Sequence, residues 1–217
     1  MTSMPLALKN ITIGHRKPLT ASFDLEVAPS EFVTLMGENG VGKTTLIDCL
    51  LGLASPLTGE IRFWGKPNSG AYRSVINQSV GWVISQQESY PLFTTIDGLL
   101  DSIAPLYPSW NWELCERLCK DFELDTQKRL VHLSMGEHSK VRLVKALSFE
   151  PRLIVLDELT ANLSPTSKEV LLAALLDMFS AREMSVLYVS HSKEEAVKLS
   201  DRVLYLGKGG LKTMGGK

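Results

Sequence analysis

The chain has 217 residues, of which 44% are hydrophobic and 22% are charged, and its formal net charge at pH 7 is −1. This composition argues against a disordered or fibrous protein, and the lack of a basic excess argues against a nucleic-acid partner. The three cysteines lack CxxC spacing and indicate reduced thiols in a cytosolic setting, and no uncharged apolar run reaches the about 18 residues of a membrane span.

The order of apolar runs along the chain predicts an α/β fold. Residues 6–27 alternate apolar and polar side chains between turn residues, which predicts an antiparallel β subdomain at the N-terminus. Continuous apolar runs predict strands buried on both faces at 32–37, 152–157, 185–190 and 202–207. Amphipathic stretches between the runs predict helices at 43–52, 139–148, 167–180 and 193–199. Such alternation is typical of a mostly parallel core sheet.

The character of the sequence changes at about 89–130, where helical spacing, Pro breaks and two Trp predict an inserted helical subdomain. We therefore expect one domain over 1–217, with about 1–88 and 131–217 forming the core and its antiparallel part. Trp110 and Trp112 are expected in the core of the helical part. The C-terminal "LGKGGLKTMGGK" predicts a last strand and a flexible tail.

The segment "GENGVGKTT" follows a predicted strand and opens a predicted helix, and it matches the phosphate-binding loop pattern of P-loop NTPases. Glycines let backbone N–H groups surround phosphates, Lys43 places a positive charge on the β and γ oxygens, and the Thr44 hydroxyl can bind Mg²⁺. The alternative is a Gly-rich turn that meets a helix by chance, and it is weakened because every position of the pattern is filled. The expected ATP-binding residues are Gly37, Glu38, Asn39, Gly40, Val41, Gly42, Lys43, Thr44 and Thr45.

Two adjacent carboxylates end the apolar run "LIVLDE". In a P-loop enzyme the acid at the end of such a strand holds Mg²⁺, which makes Asp157 a candidate metal ligand. Glu158 would face the γ-phosphate and orient or deprotonate the attacking water. Without the phosphate loop, this pair is also compatible with the polar end of a buried strand.

With these motifs, and with "LSMGE" at 133–137 leading into the acidic strand, nearly the whole chain resembles the ATP-binding subunit of ABC transporters. The resemblance implies a head-to-tail dimer in which each ATP lies between the phosphate loop of one copy and the "LSMGE" segment of the other. Ser134 and Gly136 would then contact the γ-phosphate of the partner's ATP.

Three further residues match positions of the family. Gln86, with Gln87 as the alternative register, matches the glutamine that reaches Mg²⁺ or the attacking water, and His191 matches the histidine that contacts the γ-phosphate. His15 stands about where the family places an aromatic that stacks on adenine, and an exposed loop histidine explains it equally well.

The chain departs from the family at three places. Leu159 replaces the usual Pro after the acid pair, and Met135 and Glu137 replace the commonest Gly and Gln of the signature. Ser164 stands where the family has an Asp that links the two ATP sites, and a hydroxyl cannot carry that charge. Glu137 is expected to add negative charge near the phosphates.

The expected function is an ATP-hydrolysing, Mg²⁺-dependent subunit that powers a transmembrane permease through ATP-driven dimerisation, on the cytoplasmic face of the cell membrane. Its partner ATPase is a second copy or a homologue. The segment "LYPSW" gives a weak preference for an exporter, with import open. The expected permease contact is 88–109, with Tyr90, Phe93, Tyr107 and Trp110. Packing in the core of the helical part is the competing interpretation of these aromatics, and it is favoured for Trp110. The alternatives are a degenerate ATP-binding module paired with another ATPase and a soluble ABC ATPase outside transport.

Overall fold

The computed structural model describes residues 3–84, 91–161, 163–181 and 184–216. Within these ranges the chain forms ten strands and seven α-helices. The strands are β1 (Leu6–Thr12), β2 (Phe23–Val27), β3 (Phe32–Gly37), β4 (Thr58–Phe63), β5 (Lys66–Pro67), β6 (Val80–Val83), β7 (Leu153–Asp157), β8 (Ser185–Val189), β9 (Arg202–Gly207) and β10 (Gly210–Gly216). The helices are α1 (Lys43–Leu51), α2 (Arg73–Asn77), α3 (Ile96–Ile103), α4 (Trp112–Asp121), α5 (Met135–Leu147), α6 (Pro165–Ala181) and α7 (Lys193–Leu199).

The strands form two sheets. The larger has the order β10-β9-β3-β8-β7-β6, and its pairs are parallel except for β10 with β9. The smaller has the order β2-β1-β4-β5 and is antiparallel. The architecture is thus the expected mostly parallel α/β core with an antiparallel part built from the N-terminal strands.

Hydrophobic cores lie on both faces of the larger sheet. On one face, Phe32, Ile154 and Tyr188 pack with residues of α3, α4, α5 and α6. On the other face, Val33 and Leu35 pack with α1 and with the smaller sheet. Every residue of β3, β7 and β8 is buried, which explains why these strands have no polar alternation.

The helices between residues 96 and 147 share one hydrophobic core. Thr95 caps α3 by accepting a hydrogen bond from the Gly98 N–H at 3.1 Å, and Asn111 caps α4 through the Leu114 N–H at 3.0 Å. The 3-10 turns Ala104–Leu106 and Leu130–His132 lie before α4 and before α5. Trp110 packs against this core, whereas Trp112 is exposed, so the expectation of a buried Trp112 is wrong.

Two boundaries differ from the sequence expectations. Helix α5 begins at Met135 rather than 139, because Ser134 and Glu137 form a reciprocal capping box. The C-terminal residues expected to form a flexible tail continue as β10, which pairs with β9 from Gly210 to Gly216. Among the described helices, none is both long and apolar enough to cross a membrane.

Candidate functional site

The predicted residues of the phosphate loop, the acid pair and His191 converge at the carboxyl edge of the parallel sheet. Strands β3, β8 and β7 are neighbours, and in the register of β7 with β8 Asp157 lies opposite Val189. The loops that follow these three strands therefore meet at one edge, where ligands bind in open α/β sheets.

The loop from β3 to α1 has the backbone that phosphate binding requires. Gly40 and Gly42 have φ values of 75° and 110°, which side chains with a Cβ rarely adopt. A Cβ on Gly42 would lie 2.9 Å from Ile13 Cδ1, so the end of the Ile13 side chain would also have to shift. The N–H groups of the first turn of α1 face the loop, which makes this helix start suited to an anion.

Lys43 is buried and points back along the loop. Its ammonium donates hydrogen bonds to the carbonyl oxygens of Gly37 at 2.8 Å and Glu38 at 3.0 Å. Burial lowers the pKa of Lys43, and the charges of Glu158 and Asp157 oppose that shift. The amine is thus a positive group held in the centre of the site beside two carboxylates.

The two carboxylates at the end of β7 lie in different environments. Asp157 is buried, whereas Glu158 is partly exposed and has a φ of 49°. This left-handed conformation is uncommon for a residue with a side chain, and strain of this kind persists only where surrounding contacts hold it. Here the Glu158 N–H donates to the Val189 carbonyl at 2.9 Å, which ties the turn after β7 to the end of β8.

His191 lies two residues beyond β8 and contacts the acid pair directly. Its Nε2 lies 2.8 Å from Oε1 of Glu158. The predicted catalytic carboxylate and the predicted phosphate-contacting histidine are therefore within hydrogen-bonding distance in one chain. Such a carboxylate–imidazole contact fixes the orientation of both groups.

A cavity of about 300 Å³ joins these groups. This volume lies at the lower end of the range of ligand pockets. His15 and Leu19 line the cavity: His15 lies in the loop closed by the bridge between Gly14 and Pro18, and Leu19 directly follows that bridge. The other lining residues are Asn39, Gly40, Gly42, Lys43, Thr44, Thr45, Asp157, Glu158 and His191.

Leu19 is the lining residue that the sequence expectations missed. An apolar side chain next to His15 would add to a surface for a flat ring. The signal in the sequence was an apolar residue after Pro18 in an otherwise polar loop, which is too weak to select it. Gly37, Glu38 and Val41 belong to the loop but do not line the cavity: two carbonyls accept from Lys43, and Val41 packs in the core.

Ser134 and Gly136 lie at the start of α5 and are not among the residues that line this cavity. The Ser134 hydroxyl accepts from the Glu137 N–H at 3.2 Å, and the Glu137 carboxylate accepts from the Ser134 N–H at 2.8 Å. A single chain thus keeps the "LSMGE" segment apart from its own phosphate loop.

The Glu137 carboxylate is paired rather than free. Lys128 donates to both of its oxygens, at 2.8 and 3.0 Å. The hydrogen bonds from Lys128 and from the Ser134 backbone lower the pKa of Glu137 to about 2. The negative charge expected at this position is therefore largely offset by Lys128.

Ser164 caps helix α6. Its hydroxyl lies 3.0 Å from the Ser167 hydroxyl and accepts from the Ser167 N–H at 3.2 Å. Gln86, and Gln87 as its alternative, lie outside the described residues.

Comparison with known proteins gives one consistent group. The sequence model of the family "ABC transporter" matches residues 20–161. An energy-coupling factor transporter ATP-binding protein EcfA2 from Clostridium perfringens is 32% identical over 198 residues, covering 87% of this chain and 69% of its own length. A taurine import ATP-binding protein TauB from Mesorhizobium japonicum is 30% identical over 213 residues, covering 94% of this chain and 80% of its own length.

Other relatives are longer, and solved structures share the fold. The chain spans 53% of the length of an osmoprotectant import ATP-binding protein OsmV from Salmonella typhimurium, which is 27% identical over 89% of this chain. A solved dimeric post-hydrolysis state of the ATP-binding cassette MJ0796 bound to ADP and Pi has a TM-score of 0.83 at 22% identity, over 98% of this chain and all of that one. These likenesses confirm the expected fold of a P-loop ATPase cassette.

Proposed function

Because this chain belongs to the ABC transporter family, as an ATP-binding subunit of the P-loop ATPase type, we propose that it hydrolyses ATP with Mg²⁺ in a head-to-tail dimer and thereby drives a transmembrane permease. The observation that carries the proposal is the cavity in which the phosphate loop, Asp157, Glu158 and His191 meet. It brings a polyanion-binding loop within reach of an acid–imidazole pair 2.8 Å apart.

The loop binds and neutralises the triphosphate. The N–H groups at the start of α1 would donate to phosphate oxygens, and Lys43 would exchange its bonds to the Gly37 and Glu38 carbonyls for bonds to the β and γ oxygens. His15 and Leu19 would provide a partly apolar surface against which the adenine base packs.

The residues also fit Mg²⁺. Thr44 and Asp157 both line the cavity, and one hydroxyl plus one carboxylate is a donor set that Mg²⁺ accepts when phosphate oxygens and waters complete six positions. When bound, Mg²⁺ supplies charge neutralisation on the β and γ oxygens. Gln86 is proposed as an additional ligand or water contact.

Glu158 and His191 act on the γ-phosphate side. Glu158 would accept a proton from the attacking water or orient it, and His191 would exchange its 2.8 Å contact with Glu158 for a hydrogen bond from Nε2 to a γ oxygen. Glu158 is the first residue after β7, and its φ of 49° takes the backbone out of the extended conformation of the strand.

The location of the "LSMGE" segment supports the dimer. Ser134 is exposed at the N-terminus of α5, a 13-residue helix, and a helix N-terminus binds anions. Since Ser134 and Gly136 do not line the cavity of their own chain, the γ-phosphate they would contact belongs to a second subunit. The partner is a second copy or a homologous ABC ATPase.

The permease contact is proposed on the surface between β6 and α4. Phe93 is 75% exposed, next to the exposed Leu92, and the Arg129 guanidinium lies 5.2 Å from the Phe93 ring centre. Tyr107 instead stacks on Phe149 with ring centres 4.1 Å apart, so it serves packing of the helical part. Tyr90 lies outside the described residues. Attachment through this surface would hold the protein at the cytoplasmic face of the membrane.

The direction of transport is a separate question. An exporter stays a prediction of the sequence alone, because the relatives named above are import or energy-coupling factor proteins. The alternative of an ATP-binding module with little turnover rests on Ser164, whose hydroxyl is engaged in capping α6.

The test is phosphate release from ATP by the purified chain, with Mg²⁺ or with EDTA, beside Lys43→Ala. We expect release that depends on Mg²⁺ and falls at least 100-fold in Lys43→Ala. A wild-type rate equal to that of Lys43→Ala at every protein concentration tested would overturn the proposal of hydrolysis by this chain alone.

A further inference from the structure

A second carboxylate is buried close to the site but does not line its cavity. Glu195, in the first turn of α7, is 4% exposed. A charge removed from water in this way is costly unless other groups pair with it. The proposed reaction uses Asp157, Glu158 and His191 and assigns no role to Glu195. The burial of the Glu195 carboxylate therefore requires a separate explanation.

Within the described part of the chain, four side chains bond to this carboxylate, and together with it they form the Glu195 cluster. The Lys168 ammonium makes an ion pair with Oε1, and the Tyr188 hydroxyl donates to Oε2. The Thr160 hydroxyl lies 3.0 Å from both oxygens, and the Ser190 hydroxyl donates to Oε2 at 3.4 Å. The carboxylate is therefore saturated with partners from α6, from β8, from the turn after β7 and from the turn after β8.

The cluster keeps Glu195 ionised. Burial raises the pKa of Glu195, but the hydrogen bonds from Lys168, Tyr188 and Thr160 outweigh burial and lower it overall. Burial and the bond to Glu195 raise the pKa of Tyr188, so its hydroxyl remains a donor.

The partners of Glu195 come from the two turns that carry the reacting groups. Thr160 is two residues after Glu158, and Ser190 directly precedes His191. The second turn is fixed further by Ser192, whose hydroxyl accepts from the Glu195 N–H at 3.3 Å and whose N–H donates to Ser190 at 3.1 Å. One buried anion thus joins the chain on both sides of the contact between Glu158 and His191.

We propose that Glu195 is a positioning residue for ATP hydrolysis, whose carboxylate holds the turn after Glu158 against the turn that carries His191. The inference rests on the proposed function. A fixed arrangement of the two turns explains how the 2.8 Å contact between Glu158 and His191 is maintained although both side chains are partly exposed and Glu158 has a left-handed backbone. The same cluster connects Lys168, one turn after Ser164, to the His191 turn.

The decisive variant is Glu195→Gln, which keeps the shape of the side chain and removes its negative charge. The ion pair with Lys168 is then lost, and the hydrogen bonds from the hydroxyls lose their charged acceptor. Its control is Glu194→Gln, an exposed acid one residue away on the same helix turn. We expect Glu195→Gln to lower kcat for ATP at least tenfold while the affinity for a fluorescent ATP analogue changes less than threefold, and Glu194→Gln to leave both within twofold.

The companion variant is Lys168→Met. Because Lys168 and Glu195 act through one contact, their double variant should lose no more kcat than Glu195→Gln alone. A kcat for Glu195→Gln within twofold of wild type, or a loss of kcat matched by an equal loss of ATP affinity and of folded protein, would overturn the inference.

A readout independent of turnover separates this inference from the proposed function. Hydrogen exchange at the Glu158 N–H, which donates to the Val189 carbonyl, should be at least tenfold faster in Glu195→Gln than in Glu194→Gln. If the wild type releases no phosphate, the proposed function fails. In that case equal exchange rates in the two variants would overturn the inference as well, and a faster rate in Glu195→Gln would support it.

Discussion

The ion pair between Glu137 and Lys128 gives a quantitative prediction for stability. A carboxyl whose pKa falls from 4.5 to about 2 on folding stabilises the folded state by at most ~3 kcal/mol when it is ionised in both states. The side chains of Lys128 and Glu137 are 34% and 27% exposed, and screening by water reduces this to about 1–2 kcal/mol. Glu137→Gln can retain the capping bond to Ser134, so we expect it to lose about 1 kcal/mol, or roughly 2–4 °C in Tm for a chain of this size.

The sign of the pH dependence follows from the lowered pKa. The contribution of Glu137 is fully present above the unfolded pKa of 4.5 and is lost as the pH falls toward about 2. The difference in unfolding free energy between wild type and Glu137→Gln should therefore be constant from pH 7 to about pH 5 and shrink below it.

The assay is urea unfolding at a series of pH values, with Glu113→Gln as the control. Glu113 is an exposed acid in the first turn of α4 and so has the same relation to a helix N-terminus. The reasoning is refuted if Glu137→Gln loses no more unfolding free energy than Glu113→Gln at pH 7. It is also refuted if the difference in unfolding free energy between wild type and Glu137→Gln does not shrink below pH 5.

Three substitutions test the phosphate loop, the "LSMGE" segment and the cap of α6. Gly136→Ala should leave Tm unchanged or higher, because the added methyl would lie 3.7 Å from the nearest Leu163 carbon and Ala favours helix. The same substitution should weaken ATP-dependent association, measured by light scattering, at least tenfold. Gly42→Ala should weaken binding of a fluorescent ATP analogue at least tenfold, since a φ of 110° is strained for a residue with a Cβ and Ile13 Cδ1, 2.9 Å from that Cβ, would have to shift; binding within threefold of wild type would contradict this. Ser164→Asp should keep the cap on α6 and the Tm, and raise the rate of phosphate release; an unchanged rate would show that the hydroxyl at this position does not limit turnover.

The buried strands and the phosphate loop were predictable because their signals are local. The run at 32–37 coincides with β3, and the loop with its glycines and Lys43 follows it directly. The start of helix α5 lies four residues before the predicted one, because the apolar periodicity begins only at 139 whereas the capping box of Ser134 and Glu137 begins the helix at Met135.

Other features depend on contacts that the sequence does not display. Strand β10 is rich in Gly and weak in β propensity, and it is a strand because β9 pairs with it antiparallel along its length, with one register shift between Thr213 and Gly215. Glu195 and Thr160 are 35 residues apart, and their contact exists only because β7 and β8 are neighbours in the sheet. The pairing of Glu137 with Lys128 was missed for the same reason, since a bend of the chain brings Lys128 to α5.

In the proposed function, Glu158 acts on ATP that is bound between two subunits. The most direct measurement is ATP-dependent association and phosphate release, run side by side on the wild type and Glu158→Gln by light scattering and a phosphate assay. We predict that Glu158→Gln accumulates an ATP-bound dimer without phosphate release while the wild type releases phosphate and dissociates. Equal phosphate release by both proteins, or dimers of both with release by neither, would contradict the role of Glu158 in this chain.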